Sequence, residues 1–317
     1  MRSIKTYLSE ISLETLALAL VFGGTACRTL GQVAPAKLPT ETLEIVASWR
    51  LQSPVGRFDA SGIERSPEGE LLVVRDAELA VYAVRFGDDD SEATLVKHGR
   101  YSVPKADLNV GPTRFDVEGL AFDDDGVLYA CDEYARRVLR FTARGLIDSL
   151  PINLDSVASY FSETNVNASF EGIAIGGGKL YLANERSKGR LIELDLATGQ
   201  TLGSFECRTG TSIWPDPHYS GLDWHNGRLY ALMREEQSIL EINPSDRSVT
   251  RVLRYHDIEF AKDHRYRTLV PLSGVMEGVL IEGETIWLLT DNNGQGRYAD
   301  QADRRPSLFK CRIADRP

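Results

Sequence analysis

Basic charge, cysteine and histidine are all scarce in this chain, and each shortage closes off a class of function. Lysine and arginine number 36 against 46 aspartates and glutamates, for a net charge of −10. A nucleic-acid binder needs a basic footprint, so that class is excluded, whereas cations are suited to the chain and an anionic substrate would need local positive charge. Four cysteines without a CxxC pair provide the spacing of neither a redox dithiol nor a thiolate zinc site. The five histidines, at 98, 218, 225, 256 and 264, show no ligand spacing, although His218 and His264 fall in long loops and stay candidates. There is no GxSxG elbow, no HExxH and no complete Walker A. The glycines of "IAIGGGKL" (173–180) fall at a hairpin turn rather than in a phosphate loop. Helical periodicity is nearly missing as well, with "SVASYFSETN" (156–165) predicted to make a turn or two. A content of 42% hydrophobic and 26% charged residues still supports a sizeable core.

Long apolar runs are confined to the N-terminus. Arg2 and Lys5 precede "LALALVFGG" (16–24), too short to span a bilayer comfortably, and Thr25-Ala26 lead into Cys27. Small residues before a cysteine resemble the lipobox of bacterial lipoproteins, although Gly24 stands where leucine is usual and Glu10 and Glu14 are unusual in such a leader. The expectation is a signal peptide over 1–26, a lipidated Cys27 with a tether to 42, and a single domain over 43–317. The protein would then be an exported cell-envelope lipoprotein, monomeric, touching membrane only through its lipid. Cys131, Cys207 and Cys311 remain; one disulfide is compatible with export, no pair is selected, and Cys131 sits in an apolar alternation that suits burial.

What the sequence does have is a repeat. "FDVEGLAFDDDGVLYACDE" (115–133) recurs as "FDASGIERSPEGELLVVRD" (58–76), "NASFEGIAIGGGKLYLANE" (167–185), "HYSGLDWHNGRLYALMRE" (218–235) and "GVMEGVLIEGETIWLLTDNN" (274–293). Each hairpin is followed by two further strand patterns, and four strands at a period near 50 residues make a propeller blade. The last unit ends after "PSLFKCRI" (306–313), and "TLEIVASWRL" (42–51) is available to supply its missing strand. The predicted fold is therefore all-β: a five-bladed propeller closed by its N-terminal strand, with six blades as the alternative. Closure removes an open sheet edge.

In such a fold the start of each first strand and the end of each second strand lie at one rim. The residues before the shared glycines are Ser61, Glu118, Glu171, Ser220 and Glu277. Three carboxylates gathered round one axis repel unless a cation sits among them, and an all-oxygen set favours Ca2+. A second ring follows one hairpin later: Arg75-Asp76, Asp132-Glu133, Asn184-Glu185-Arg186, Arg234-Glu235 and Asp291-Asn292-Asn293. Arg75, Arg186 and Arg234 are candidates to clamp phosphate, and Asp132, Glu133 and Glu185 to orient water, with Asn184, Glu235, Asp291 and Asn292 contacting substrate. Arg–acid pairing between blades is the structural alternative. Long connections at 102–116, 154–169, 208–219, 256–275 and 293–305 gather on the same rim.

"FDVEGLAFDDDGVLYACDEYARRVLRF", "SFEGIAIGGGKLYLANE" and "MEGVLIEGETIWLLTDNNG" resemble the phytase-like family, also called esterase-like activity of phytase, over roughly 43–313. The Ser-Glu-Glu-Ser-Glu order also resembles the calcium ring of calcium-activated nucleotidases, and calcium lactonase propellers are a more distant comparison. The resemblance implies ester or phosphoester hydrolysis of a small phosphorylated substrate. A non-catalytic propeller with a structural Ca2+ has the same sequence pattern.

Overall fold

The computed structural model describes residues 38–101, 114–141, 147–162, 165, 168–185, 189–209, 216–269 and 273–314. The expected signal peptide, Cys27, most of the tether and Arg186 lie outside these residues. The strands are β1 (Thr40–Gln52), β2 (Ala60–Arg65), β3 (Leu71–Arg75), β4 (Val81–Phe86) and β5 (Glu92–Lys97). Then come β6 (Val117–Phe122), β7 (Leu128–Asp132), β8 (Arg137–Phe141), β9 (Ile147–Leu150), β10 (Phe170–Gly176), β11 (Lys179–Asn184), β12 (Arg190–Asp195) and β13 (Thr201–Phe205). The remainder are β14 (Tyr219–His225), β15 (Arg228–Met233), β16 (Ser238–Asn243), β17 (Ser248–Arg254), β18 (Met276–Glu282), β19 (Thr285–Thr290) and β20 (Ser307–Ile313). Among the described residues helix is limited to short turns such as the 3-10 segment Asp155–Tyr160, overlapping the predicted stretch, and His256–Glu259.

Antiparallel pairing groups the strands in fours: β2–β5, β6–β9, β10–β13, β14–β17, and β18–β20 with β1. We call these blades one to five. The first strands pack side by side in a closed circuit, β2 on β6, β6 on β10, β10 on β14, β14 on β18 and β18 back on β2. The fold is a propeller. β1 pairs with β20 from Leu43↔Ile313 to Arg50↔Ser307, so the N-terminal strand completes the last blade. It also does something the repeat did not foretell. Its first residues, Thr40 to Thr42, run parallel to Val252–Arg254 of blade four, and its last, Arg50 to Gln52, run parallel to Glu92–Thr94 of blade one. One strand thereby stitches three blades, and its first three residues, Thr40 to Thr42, lie inside the segment expected to be tether.

The core lies between blades. Along β3, Leu71 and Val73 pack toward blade five while Leu72 and Val74 pack toward blade two. Both faces of each blade are covered, which is why inner strands read as continuous apolar runs rather than alternations. Cys131, Cys207 and Cys311 are buried free thiols, each in a different interblade cluster. The disulfide considered from sequence therefore does not form among them.

The shared glycines mark where the first strands crowd the axis. A Cβ on Gly221 would lie 2.4 Å from the carbonyl oxygen of Glu277, and one on Gly172 would lie 3.0 Å from the Gly221 Cα. These are backbone atoms that cannot swing aside. Gly221→Ala is accordingly expected to destabilise the fold by about 1–3 kcal/mol in urea unfolding. Gly99→Ala, where an added Cβ meets nothing within 4 Å, should leave the transition in place.

Candidate metal and substrate site

A bulge repeated in every blade builds the site. Pairing runs Ala60↔Arg75 and then Gly62↔Val74, skipping Ser61; it skips Glu118, Glu171, Ser220 and Glu277 in the same way. A bulge bends its strand and re-aims the extra side chain. Below these residues the axis narrows to a cavity of about 10 Å3, lined by Ser61, Glu118 and Glu277 and then by Ile63, Leu120, Ile173, Leu222 and Val279.

The two ends of each hairpin meet, as the repeat implies. One backbone hydrogen bond recurs round the ring, the amide after each second strand donating to the carbonyl two residues before each bulge. The pairs are Asp76 to Asp59 (3.3 Å), Glu133 to Asp116 (2.7 Å), Glu185 to Ser169 (2.8 Å), Arg234 to His218 (3.2 Å) and Asp291 to Val275 (2.8 Å). Asp59 and Asp116 thus join the rim, although sequence reasoning passed over both. Their signal was present in the repeat: two residues ahead of the bulge stand Asp59, Asp116, Ser169, His218 and Val275, mostly polar where a strand entry would be apolar.

Carboxylates concentrate on one side. Ligand oxygens of Asp116, Glu118 and Glu133 lie within 4.8 Å of one another, and so do those of Glu133, Glu171 and Glu185. Glu133 belongs to both groups and, like Glu185, is fully buried. Burial pushes the Glu118 carboxyl well up, and the charges of Glu133, Asp116, Asp76 and Asp291 push it further. Glu171 is raised by burial and then by Glu185, Glu133 and Glu118, with Arg234 opposing. Asp76 is pushed up to about 6, by burial and then by Asp59 and Asp116. Asp116 also reaches about 6 through burial, against Arg114 and with Asp132 adding. Asp291 rises to about 7 through burial and Asp59.

Arg234 and His218 supply compensation. The buried Arg234 guanidinium pairs with Glu185 at 2.6 Å and with Glu277. His218 faces Glu185 through Nε2 and Glu235 through Nδ1, the latter at 3.3 Å. The five expected metal ligands therefore do not act alike. Glu118 and Glu171 enter the carboxylate groups, Glu277 is tied to Arg234, and the Ser220 hydroxyl donates to the carbonyl of Met276 at 2.8 Å. Ser61 is buried beside the axis.

Several second-ring residues turn out to hold the scaffold. Arg75 donates to the carbonyl of Arg57 at 3.0 Å and lies 3.5 Å from Glu78, so it is not presented as a phosphate clamp. Asp132 accepts from Arg137 at 2.7 Å and from the Asp116 amide at 3.1 Å. Asn184 donates to the Tyr160 carbonyl at 3.3 Å, and Asn292 to those of Gln295 and Arg304. Asp291 accepts from the amide and side chain of Asn293, both at 2.7 Å. Burial pushes Glu235 up, but hydrogen bonds from His218 and Ser273 outweigh it and leave the carboxyl below its usual value. The Arg–acid pairing weighed from sequence as the structural alternative describes Arg234.

The arrangement defines an all-β propeller with a carboxylate-lined axial rim. The description "Phytase-like: Esterase-like activity of phytase" matches residues 53–294, and the chain belongs to that family. No curated protein matches it as a relative. Among solved structures, glutaminyl cyclase from Myxococcus xanthus is similar at a TM-score of 0.57 and 14% identity, covering 88% of this chain and 100% of that one. Virginiamycin B lyase from Staphylococcus aureus gives 0.44 and 14%, covering 82% and 68%. At these identities the first likeness is one of fold.

The raised carboxyls carry a sign for stability. Asp76, Asp116 and Asp291 keep protons in the folded chain at pH values where an unfolded aspartate, at about 3.9, has lost them. The unfolded state then binds fewer protons, so stability falls as pH rises. In EDTA, the Tm should decline as pH climbs from about 4 through the range where these groups titrate, about 6 to 7. A Tm that rises across that window would show the rim carboxylates already compensated within the chain.

Proposed function

We propose that the protein is a Ca2+-dependent hydrolase of phosphoester or phosphoanhydride bonds in a small anionic substrate, working at the cell envelope on a lipid anchor at Cys27. Membership of the phytase-like family supports the hydrolase reading, and the N-terminal pattern alone supports export. The observation that carries the metal is the sharing of Glu133 by two three-carboxylate groups. Burial and mutual repulsion hold neighbouring carboxyls well above their usual range, a state that a divalent cation relieves. The donor set is all oxygen, which suits Ca2+ at about 2.3–2.6 Å. Glu118, Glu133 and Glu171 would hold the ion, with Asp116 or Glu185 completing its shell. Bound there, it would polarise a phosphoryl oxygen or a water.

The arginines sharpen the reading. Arg75 and Arg234, the described members of the expected clamp, are committed to protein partners. A phosphate approaching this rim meets net negative charge, so its binding depends on the cation being present first. The full burial of Glu133 and Glu185 favours a second reading, in which a deeply set ion is structural and the rim only binds a ligand.

Purified protein assayed on phosphomonoester, phosphodiester, nucleotide and carboxyl-ester substrates separates the two. The enzyme reading expects turnover with Ca2+, loss in EDTA, and a decrease of about 100-fold or more in Glu133→Gln. No turnover on any substrate, together with a Ca2+-dependent rise in Tm, would establish the structural reading instead. Full activity in EDTA would remove the metal from the chemistry.

A further inference from the structure

The opposite end of the axis carries a second pocket, of about 420 Å3, where the first strands finish. Pockets that hold small organic ligands run from roughly 300 to 1,000 Å3. It is separated from the acidic rim by the apolar neck of Ile63, Leu120, Ile173, Leu222 and Val279, whose cavity of about 10 Å3 has room for at most a water. Hairpin turns surround it, and nothing in the proposed hydrolysis uses it.

Its walls are about evenly polar and apolar, the apolar part including Phe122, Ile175, Trp224 and Leu280, with Trp224 held in place by stacking on Tyr181 at 5.7 Å. Three carboxylates stand in this setting, Glu64 from blade one, Asp223 from blade four and Glu282 from blade five, the last paired with Arg65. Asp223 is 7% exposed. Glu64 and Asp223 each accept a backbone amide at 2.7 Å, Glu64 from Arg65 and Asp223 from Ile281, which fixes their positions. Among the described residues neither has an ion pair. The neighbouring cation, Arg65, is forked onto Glu282 at 2.7 and 2.8 Å, so its charge is already met. His225 accepts the Gly283 amide at 3.1 Å and is likewise engaged. Two fixed acids and aromatic walls, with the local base already neutralised, form a complement to positive charge on an apolar body.

We propose that this pocket binds a small organic cation, an ammonium or guanidinium group carried on an apolar or aromatic body, with Glu64 and Asp223 meeting the charge and Phe122 and Trp224 covering the body. Electrostatics agree. Burial raises Asp223 to about 7, and burial with the charge of Asp223 holds Glu64 well above its usual value. Both shifts arise first from burial, with a neighbouring carboxylate adding to each. The inference is independent of the hydrolase reading, because the two sites share no residue and open at opposite ends.

Benzylammonium and its neutral isostere benzyl alcohol test it. Each is titrated into the purified protein with Ca2+ saturating, so that the acidic rim does not compete, and tryptophan fluorescence is followed. Saturable benzylammonium binding at least about tenfold tighter than benzyl alcohol is expected, since a hydrogen bond to a charged group is worth that factor or more. The fluorescence change should vanish in Trp224→Phe. Glu64→Gln combined with Asp223→Asn should weaken benzylammonium about tenfold or more while leaving hydrolysis unchanged. Equal affinity for the two probes, no saturable binding at millimolar concentration, or unchanged binding in the double variant would overturn the proposal. If the double variant does not fold, the comparison of probes on the unaltered protein decides the matter.

Discussion

Everything at the rim depends on how closely the first strands approach one another around the axis. At Gly221 a single added carbon would sit 2.4 Å from the backbone of the next blade, so the strands stand at the limit set by backbone contact. On a circle that small, equivalent residues in successive blades have to be neighbours. The bulge before each glycine then turns one side chain per blade out of the pairing ladder. Where that side chain is glutamate, repulsion follows from geometry alone, because buried carboxylates a few ångströms apart cannot all ionise without a counter-charge.

Basic side chains answer part of that repulsion. Arg234 lies between Glu185 and Glu277, with His218 beside it, and this flank is self-contained. On the flank built from Asp116, Glu118 and Glu171, burial and neighbouring carboxylates outweigh the opposing charges of Arg114 and Arg234, and the carboxyls are raised accordingly. A stable fold tolerates such a group because the stabilising elements lie elsewhere. Apolar clusters fill the spaces between successive blades, and β1 ties three of those blades together. Locally unfavourable charge supported by a well-packed frame is what a cation-binding site requires.

Much of this was legible before any coordinates. The repeat, the strand order within it, the completion of the last blade by β1 and the meeting of hairpin ends all follow from short-range patterns with a fixed period. Side-chain partnerships were not legible, because they depend on which way a bulge turns and what the next blade presents. Arg75 and Arg234 stand one position apart in the repeat, Arg75 paired opposite Ala60 and Arg234 where blade one has Asp76, and they find different partners, the Arg57 carbonyl for one and two glutamates for the other. Asp116 stands two residues ahead of the bulge, away from the shared Glu-Gly pattern, and only its polarity at a strand entry marks it in the sequence. The pocket at Glu64 and Asp223 could not be seen at all. The two acids come from blades one and four, and only closure of the ring brings them to one cavity.

The central claim is that a divalent cation completes the carboxylate flank. Crystals grown with Mn2+ in place of Ca2+ would locate it by anomalous scattering. The account predicts a peak at the axial rim bounded by oxygens of Glu118, Glu133 and Glu171, displaced by added Ca2+. A peak confined to the outer surface, or an axial rim without one at millimolar metal, would contradict it.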